Sequence, residues 1–521
     1  MIRRNGPQTW RNVHVTKQTQ LGDLIDIDNS MPGGGQPTGF ELLKQAARDL
    51  EDVVRHAQQQ GIRIRALGSG WALTDIAVTD GWLINTKPLN ACFDVSDRYF
   101  DSDYPTSKRP YLVIAQCGMS VGELNVHLEI TATPGFRRAL KTSGIGCGQT
   151  IAGAISGNTH GAAINFGATP DFVVGLQVVT GGGKSLWIER ASYSVMNDDF
   201  LTSLDATRVR DDDVFNAAVV SFGAFGIIAA VAIETAPLYQ LRFPPVNDIP
   251  HDALKHKLDN FDFNDPSGLY HYEFVFDPYS KSEVAMEAAA TKVTFEAGHA
   301  PPGSIWIVRD AANFAPGDKT TPALLATGNY AIPMFMGARF LTARIRTAIQ
   351  FGQYRKKCIL GDVRSTPGQL FMATITYFEG YTESAFGVSI DDAAKMMDIS
   401  SDVIRQMRLP AMSQVRVVHP TQALLGFTSL GPKTAVFEFG LANDAKFQKF
   451  EDNLISALTE ASVPYTLHWS KNSGIDAQRL DDMYGAARVA TWRAARGLVF
   501  ENDAKRMAVF DNDHLTRAGL T

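Results

Sequence analysis

The chain has 521 residues, of which 45% are hydrophobic and 20% are charged, and its formal net charge at pH 7 is -6. This composition is that of a folded globular protein, and the length predicts two to four domains, or two large ones. The negative balance argues against a nucleic-acid partner. Four cysteines in so long a chain exclude a disulfide-based fold, and because none forms a Cys-x-x-Cys pair we expect no metal site.

The N-terminus and one uncharged stretch bear on localisation. Residues 1–7 lead into polar sequence without the apolar core of a secretory signal. Residues 214–233 are uncharged and about long enough to cross a bilayer. Asn216, Ser221 and two glycines interrupt them, however, and their flanks are acidic. We therefore expect a buried helix, turn and strand there, no membrane span, and a cytoplasmic protein.

The first predicted elements are a helix and the strand that follows it. Thr38 and Glu41 have the spacing of a capping box, and the apolar residues after them recur at helical intervals. Gly61 can end the helix in the left-handed conformation. Residues 62–67 then alternate apolar and basic side chains as a strand does, and a Gly-Ser-Gly loop follows at 68–70.

Further short elements complete the first half of the chain. We predict strands at 82–85, 111–116, 172–180 and 184–189 and a helix at 121–130. Three glycines at 181–183 join the last two strands as a hairpin. Residues 142–169 are rich in small side chains, and Pro237 ends the segment. These elements predict one α+β domain over residues 1–240.

The second half has aromatic-rich strands and two longer helices. We predict strands at 269–276, 370–377, 414–418 and 434–439, and helices at 391–407 and 444–461. Strands with intervening helices predict an α+β substrate domain on an antiparallel sheet, over residues 241–480. The basic residues between Arg344 and Lys357 fit a solvated helix face better than a binding patch.

The loop at 65–72, with the sequence Arg-Ala-Leu-Gly-Ser-Gly-Trp-Ala, is the first candidate ligand site. Glycines after a strand allow a tight turn whose successive N–H groups cradle a phosphate, although an ordinary tight turn has the same composition. It is not a Rossmann fingerprint, because Leu73 stands where the third glycine is needed. Gly183-Lys184-Ser185 is not a P-loop, because its first glycine is replaced by Val178.

Residues 150–161, with the sequence Thr-Ile-Ala-Gly-Ala-Ile-Ser-Gly-Asn-Thr-His-Gly, are the second candidate. Side chains this small let a flat ligand approach the main chain closely. The hydroxyl groups of Thr150, Ser156 and Thr159 are suited to its polar edges. A close-packed loop around a core His160 explains the same composition.

Together these segments resemble the vanillyl-alcohol oxidase / p-cresol methylhydroxylase superfamily of FAD enzymes. Four segments in the family's order carry the resemblance, over about residues 37–240: the Arg-x-x-Gly-Ser-Gly loop at 65–70, the stretch 149–161, the strand 171–179 with the glycines after it, and the stretch 222–228 leading to Pro237. The resemblance implies an α+β fold with a PCMH-type FAD-binding domain of two subdomains, and FAD as the cofactor.

The family's roles carry over to matching positions of this chain. In that family the first loop holds the FAD pyrophosphate, the second runs beside the flavin ring and ribityl chain, and a Gly-Ile turn contacts the cofactor through its backbone. By resemblance we expect these roles for Leu67, Gly68, Ser69, Gly70, Trp71, Ala72, Gly144, Thr150, Gly153, Gly157, Thr159, His160, Gly161, Gly226 and Ile227.

The C-terminal region resembles one branch of that superfamily. His468-Trp469-Ser470-Lys471 is similar to the His-Trp-small-Lys motif of the aldonolactone and alditol oxidase branch, which also includes cholesterol oxidase-like members. Phe510-Asp511-Asn512 resembles the closing segment of that branch. The resemblance implies that residues 481–521 return to the FAD-binding domain.

Two departures concern the attachment of FAD. Many members attach FAD through a histidine directly after Gly-Ser-Gly, and Trp71 at that position cannot form the bond. Others use a cysteine two residues before the threonine of the second segment, where this chain has Gly148 and Cys147 is one residue off. We therefore expect non-covalent FAD, with Cys147 as the first suspect if a link exists.

The substrate side departs further from the family. The sugar-oxidising branch has a Glu-x-Arg pair, and this chain reads Gln414-Val415-Arg416 there. The next strand, which supplies polar groups in that branch, reads Phe437-Glu438-Phe439. We therefore expect Arg416 to lack its carboxylate partner, which argues against a polyhydroxylated sugar and favours a less polar alcohol or an amine-bearing substrate.

Oxidation of an alcohol by a flavin suggests roles for four residues. Arg416 is a candidate for binding the substrate oxygen, since a fixed guanidinium stabilises alkoxide character, and Gln414 is a further candidate catalytic residue. Lys471 is a candidate for balancing charge at the reduced flavin, and His468 for accepting the hydroxyl proton. A structural ion pair or a buried histidine is the alternative for each.

The resemblance implies an oxidase that moves hydride from a small CH–OH substrate to flavin N5 and then reduces molecular oxygen to hydrogen peroxide. Gly144 matches the position that gates oxygen in the aldonolactone branch, where glycine permits access. A dehydrogenase that passes electrons to a quinone or a protein is one alternative. A flavin-binding protein with a degenerate substrate site is another, and the oligomeric state is left open.

Overall fold

The computed structural model describes residues 1–31, 37–131, 136–144, 146–244, 246–260, 268–280, 284–294, 341–358, 363–371, 381–442, 445–472 and 474–521. Most of the strand predicted at 370–377 lies outside the described residues.

Short strands and helices alternate up to residue 237. The strands are β1 Ile2–Arg4, β2 Gln8–Arg11, β3 Gln18–Leu21, β4 Asp23–Ile27, β5 Ile64–Leu67, β6 Trp82–Asn85, β7 Cys92–Asp94, β8 Leu112–Gln116, β9 Arg138–Ala139, β10 Val173–Val179, β11 Ser185–Glu189, β12 Ala206–Arg210, β13 Ile227–Glu234 and β14 Ala236–Pro237. The helices are α1 Gly39–Gln60, α2 Val121–Val126, α3 Ile151–Ser156, α4 Asp198–Leu204 and α5 Asp212–Ala218.

Helix α1 begins and ends where its sequence predicts. The Glu41 amide donates to the Thr38 hydroxyl at 3.3 Å, and the Thr38 amide donates to the Glu41 carboxylate at 2.7 Å, which completes the capping box. Gly61 has a φ of 64° and closes the helix in the left-handed conformation. The apolar face packs into the core through Leu43, Leu50 and other buried residues.

Two sheets make up the first half of the chain. One has the strand order β1-β4-β6-β5, and the other has the order β12-β11-β10-β13-β8-β7. β10 and β11 pair antiparallel, as the glycine hairpin between them predicts. Because β5 ends at Leu67, the Gly-Ser-Gly loop starts at the carboxyl end of that strand.

Two stretches bear on the earlier predictions. The uncharged residues 214–233 are divided between α5, a tight turn and β13, so the predicted helix, turn and strand are confirmed. No helix among the described residues has the length and apolar character needed to cross a bilayer. The helix predicted at 121–130 is shorter than expected, because α2 ends at Val126 and a π-helical turn continues from 127 to 131.

The rest of the chain is organised on a nine-stranded sheet. Its strands are β15 Tyr239–Phe243, β16 Asn247–Pro250, β17 Leu269–Phe276, β18 Val284–Thr294, β19 Val363–Ser365, β20 Tyr381–Ser389, β21 Ser413–Val418, β22 Thr434–Ala442 and β23 Thr466–Leu467. The helices are α6 His251–Asp259, α7 Ala343–Cys358, α8 Pro367–Leu370, α9 Ala393–Met407, α10 Ala445–Glu460, α11 Ala477–Tyr484, α12 Ala486–Val499, α13 Ala504–Ala508 and α14 Asp513–Arg517. The sheet pairings are antiparallel, so the predicted α+β class is confirmed.

The register of four neighbouring strands, β17, β21, β22 and β20, places charged side chains on one face of this sheet. Glu273 lies opposite Arg416, and Gln414 lies opposite Glu438. Glu383 lies opposite Gly440, two residues beyond Glu438 on the same strand. Since directly opposed residues and residues two apart share a face, these polar groups form a single row.

The C-terminal helices pack back onto the first half of the chain. The amide of Ile64 in β5 donates to the carbonyl of Val509 at 2.8 Å. The Asn512 amide side chain donates to the carbonyls of Ile76 and Val78 at 3.0 and 3.1 Å. The last residues therefore support the strand that precedes the Gly-Ser-Gly loop, in the region where the sequence predicts the chain to return.

Candidate active site

A cavity of about 330 Å³ lies between the loops of the first half and the charged face of the nine-stranded sheet. Its wall includes the loop 65–73, segments of 144–160, the turn 221–226 and residues of β20, β21 and β22. Every predicted site residue lines it except Gly161 and Ile227. Segments that are far apart in the sequence thus meet around a single space.

Glycine allows the first two loops to approach each other closely. A side chain on Gly68 would meet the hydroxyl of Thr150 at 2.1 Å, so the two loops could not keep this spacing. Thr150 also caps α3 by accepting the amide of Gly153 at 3.4 Å. Gly70 has a φ of 66°, a conformation that favours glycine. Both loops therefore depend on glycine for their spacing and conformation, and both line the cavity.

Arg65 holds the third loop in place. Its guanidinium donates to the carbonyls of Ile76 at 2.6 Å and Phe510 at 3.0 Å, and also to the carbonyl of Phe222. Burial lowers the pKa of Arg65 to about 10, so the group stays charged at neutral pH. One cation thereby ties the strand, the 221–226 turn and the C-terminal segment together beside the cavity.

The His468-Trp469-Ser470-Lys471 turn joins the two halves of the site. The carbonyl of Ser470 accepts the amide of Leu73 at 2.8 Å, and the carbonyl of Trp469 accepts the Thr74 hydroxyl at 2.9 Å. The Trp469 ring packs on Phe222 with a centroid separation of 4.0 Å. This motif therefore carries Lys471 into the cavity while it contacts the glycine loop directly.

Arg416 has carboxylate partners, so the prediction that it lacks one is wrong. Its Nη1 atom lies 3.0 Å from Oε2 of Glu438, and its Nε atom lies 3.5 Å from Oε2 of Glu273. The Gln414 amide donates to the same Glu273 oxygen at 2.9 Å. The partners come from the neighbouring strands β22 and β17, and strand register is not visible in a local sequence motif.

Lys471 is held between two carboxylates. Its Nζ atom lies 2.8 Å from Oε2 of Glu383 and is also paired with Oε1 of Glu438. Burial alone would lower the pKa of Lys471, but Glu383 and Glu438 outweigh it and raise the pKa. Burial opposes ionisation of Glu438, yet Arg416 and Lys471 hold the pKa of that carboxyl below its usual range. Arg416, Glu438, Lys471 and Glu383 therefore form a charged row, in which the raised pKa of Lys471 favours its protonated form and the lowered pKa of Glu438 favours its ionised form.

Two of the cavity histidines, His160 and His468, are neutral but present different nitrogen atoms. Burial holds the pKa of His468 well below its ordinary value and lowers that of His160 to about 4. His468 Nδ1 accepts the amide of Ser470 at 3.1 Å, so the proton of this neutral ring is on Nε2. His160 Nδ1 lies 3.0 Å from the carbonyl of Gly161 and donates to it, which leaves the lone pair on Nε2.

This hydrogen bonding does not fit the predicted role of His468 as a proton acceptor, because its only lone-pair nitrogen is already used. The acceptor nitrogen near the charged row belongs to His160, whose Nε2 lies 3.9 Å from Oε1 of Glu438. The sequence could not show that His160 rather than His468 presents this lone pair, since the tautomer of a histidine depends on neighbouring backbone groups.

His14 is a cavity residue that the sequence analysis missed. It lies in the turn between β2 and β3, is 7% exposed and meets the Trp71 ring edge-on at a centroid separation of 6.3 Å. Burial is the main reason that its pKa falls to about 4. No motif in the sequence marks it, because the turn reaches the cavity only through tertiary packing.

Gly161, Ile227 and Cys147 are not on the cavity wall, although the first two were predicted to contact the cofactor. A side chain on Gly161 would meet the Ser143 carbonyl at 2.5 Å, so this glycine serves loop packing. Ile227 is buried in the core, and Gly226 and Ile228 line the cavity instead. Cys147 is buried close to Gly122, and burial raises its thiol pKa to about 11.

Comparisons with known proteins show similarity in sequence over part of the chain and similarity in fold over nearly all of it. Residues 43–189 match the family described as "FAD binding domain". L-gulono-1,4-lactone dehydrogenase of Mycobacterium tuberculosis (strain CDC 1551 / Oshkosh) is 33% identical over 233 residues, which are 44% of each chain. L-gulonolactone oxidase of Bos taurus is 26% identical over 252 residues, 47% of this chain and 46% of that protein. The matched part is thus less than half the length of these curated relatives.

The fold extends the likeness to the whole chain. A crystal structure of cholesterol oxidase from B. sterolicum superposes with a TM-score of 0.69 at 14% identity, covering 99% of this chain and 97% of that one. The superposition shows likeness of fold alone, whereas the match at residues 43–189 shows an FAD binding domain, and FAD is its cofactor. The resemblance to the vanillyl-alcohol oxidase / p-cresol methylhydroxylase superfamily, nearest the aldonolactone and cholesterol oxidase-like branch, is confirmed.

The residues present fit the cofactor. Loops 67–72 and 150–160 offer main chain at glycines, as an extended dinucleotide needs. The cation of Arg65 stands beside them, on the same cavity wall. Those loops and the 221–226 turn would hold FAD, and the charged row lies on the remaining side.

Proposed function

We propose that this protein is an FAD-dependent oxidoreductase, acting as an oxidase, that removes a hydride from a CH–OH carbon of a small polar substrate. One observation carries the proposal. Arg416, Lys471 and Glu438 line the same cavity as the FAD-binding loops, on a different part of its wall. A cofactor and a substrate held there would share one cavity.

The chain's own groups would bind the substrate and handle its proton. Arg416 is held by Glu438 and Glu273, so it is oriented before the substrate arrives and can stabilise the oxygen as it loses its proton. The lone pair on His160 Nε2 is available at neutral pH, because the ring titrates only near pH 4. When bound, FAD supplies the acceptor for the hydride.

The charged row supports a hydroxylated substrate. Arg416, Lys471, Glu383 and Gln414 make this part of the cavity wall polar, and a polar wall suits the hydroxyl groups of a substrate better than an apolar ring system. Since Arg416 does have carboxylate partners, the reason for preferring a less polar alcohol or an amine disappears. The names of the relatives, lactone dehydrogenases and oxidases, point to hydroxylated lactones as the first compounds to test.

Oxygen is the proposed electron acceptor, and Gly144 on the cavity wall supports it. A specific observation favours a second candidate. The relative from Mycobacterium tuberculosis is named a dehydrogenase, so an acceptor other than oxygen is the alternative. The two candidates share the same reaction with the substrate and differ only in what reoxidises the flavin.

The test is a substrate screen followed by reoxidation. Purified holoprotein would be mixed without oxygen with hydroxylated lactones, sugar alcohols, sterols and amines, and bleaching of the flavin absorption would be recorded. The Arg416→Met variant loaded with FAD serves as the matched control. We expect a hydroxylated compound to bleach the wild type and peroxide to form when air is admitted. Bleaching only by sterols or amines, or by nothing in the panel, would contradict the proposal.

A further inference from the structure

We propose that His14, in the turn of the N-terminal hairpin, is a contact residue for the bound FAD. The hairpin consists of β2 and β3, and the family match begins only at residue 43, so the hairpin lies outside the recognised FAD binding domain. His14 nevertheless lines the same cavity as the glycine loops. The inference rests on FAD binding and not on the proposed oxidation reaction.

The hairpin turn is tied to the Gly-Ser-Gly loop along its length. The amide of Val13 donates to the carbonyl of Gly70 at 3.0 Å. The Asn12 side chain donates to the carbonyl of Ala72 at 2.8 Å, and the Thr16 hydroxyl donates to that of Leu73 at 2.9 Å. Three successive contacts of this kind fix the position of the turn relative to the loop that faces the cofactor.

The turn itself has an uncommon backbone. Val15 has a φ of 54°, a left-handed conformation that is rare for a β-branched side chain. The Asn12 carbonyl accepts the amide of Val15 at 3.0 Å, and the Asn12 amide donates to the carbonyl of Lys17 at 3.1 Å. Strain of this kind persists only where the surrounding structure holds it, and here it accompanies a histidine pointed into the cavity.

The chemistry of His14 suits a flavin cofactor. Charged neighbours on the cavity wall, Glu383 and Lys471, act on its ring in opposite directions, and burial keeps it neutral at physiological pH. A neutral imidazole has a polar edge and a flat face, and both are chemically suited to the polar edges and aromatic face of a flavin nucleotide. Its edge-on contact with Trp71 sets the orientation of the ring.

The experiment measures release of FAD from the holoprotein after dilution, followed by the rise in flavin fluorescence. The variants are His14→Ala, His14→Gln, Asn12→Ala and, as a matched control in the same turn, Lys17→Ala, whose side chain is not on the cavity wall. We expect about tenfold faster release from His14→Ala, as the loss of one hydrogen-bonding contact predicts. FAD release from Asn12→Ala should be nearly as fast as from His14→Ala, because the turn loses its hydrogen bond to the Ala72 carbonyl. Release from Lys17→Ala should match that of the wild type.

The melting temperature of the FAD-free protein separates a cofactor contact from a folding defect. We expect it to be the same for His14→Ala and the wild type, because a neutral ring leaves no buried charge behind. If His14→Ala lowers the melting temperature, the His14→Gln variant provides the test, because glutamine keeps the size and hydrogen bonding of the side chain. A cofactor contact then predicts slower FAD release from His14→Gln than from His14→Ala. Release within twofold of the wild type in His14→Ala would overturn the proposal, as would equal acceleration in Lys17→Ala.

Discussion

The guanidinium of Arg416 lies 3.0 Å from the carboxylate of Glu438 on the neighbouring strand, and Glu438 is shared with Lys471. The carboxylate thus couples two cations in a buried position. Removing one member of such a group leaves an uncompensated charge, which costs more than the pair contributes when it is intact. Substitutions in this row should therefore be judged on stability as well as turnover.

Arg416→Met and Lys471→Ala are expected to slow flavin reduction by substrate about 100-fold or more, with FAD still bound, because both cations lie on the charged row rather than on the glycine loops. Arg416→Met should also destabilise the fold, but by less than the about 3–5 kcal/mol of a fully unpaired buried charge, because Lys471 still pairs with Glu438. Stopped-flow reduction and urea unfolding measure the two effects.

The double variant Arg416→Met/Glu438→Gln separates those effects. It removes both charges, so its stability should recover towards the wild type while reduction stays slow. Recovery of the reduction rate together with stability would show that Arg416 has only a structural role.

FAD is expected to be non-covalent. Trp71 replaces the linking histidine, and Cys147 does not line the cavity and has a pKa raised to about 11, which disfavours the reactive thiolate. Acid precipitation should leave the yellow cofactor in the supernatant. Flavin retained on the polypeptide would contradict this, and digestion with mapping of the flavin-bearing peptide would then examine His14 before Cys147.

Loss of the close approach between the first two loops should empty the FAD site. In Gly68→Val a Cβ atom would meet the Thr150 hydroxyl at 2.1 Å, and in Gly70→Val the φ of 66° would be strained. Both variants should purify with little FAD, measured by the ratio of flavin to protein absorption. Gly352→Ala is the matched control, since its Cβ would meet nothing within 4 Å. Full FAD content in Gly68→Val would refute the assignment of this loop.

Gly144→Ala is expected to slow reoxidation of the reduced enzyme by oxygen. A Cβ atom at this position would lie 2.9 Å from the Thr159 methyl group, so the cavity wall has no spare room for it. Stopped-flow mixing of substrate-reduced protein with oxygenated buffer measures the rate, and the anaerobic reduction rate is the internal control. Slow reoxidation of the wild type, unchanged by the substitution, would favour the dehydrogenase alternative.

Glu451 should make the fold less stable as the pH rises. Its carboxylate is buried and accepts from Ser384 at 2.9 Å and Asn472 at 2.6 Å, and burial raises its pKa to about 7. Because the folded-state pKa lies above the unfolded value of about 4.3, the contribution is fully present below that value and is lost as the pH rises through 7.

Glu451→Gln removes this titration. The variant should resemble the wild type at pH 5 and exceed its free energy of unfolding at pH 8 by on the order of 1–3 kcal/mol. Urea unfolding at both pH values measures the difference. Glu129 and Asp171 also have raised pKa values, so only the difference between the two proteins is diagnostic. An equal difference at pH 5 and pH 8 would contradict the prediction.

The sequence by itself determined those elements that depend on interactions between residues close together in the chain. The capping box and the glycine end of α1, the glycine hairpin between β10 and β11, and the strands β6 and β17 were predictable because capping, turn formation and side-chain alternation involve neighbouring residues. Glycine content marked the segments 68–70 and 150–161 as candidate ligand loops, but their assignment to FAD came from the family resemblance and not from the spacing alone.

Tertiary structure alone decided which side chains meet at the cavity. Glu273 and Glu438 reach Arg416 through the register of three antiparallel strands, and the pairing of β17 with β21 joins residues more than a hundred positions apart in the sequence. His14 reaches the site because the β2–β3 hairpin, which forms a separate two-stranded sheet, packs on the Gly-Ser-Gly loop. Backbone groups near His160 and His468 determine which ring nitrogen of each carries the proton. Burial keeps both rings neutral, and both effects exist only in the folded chain.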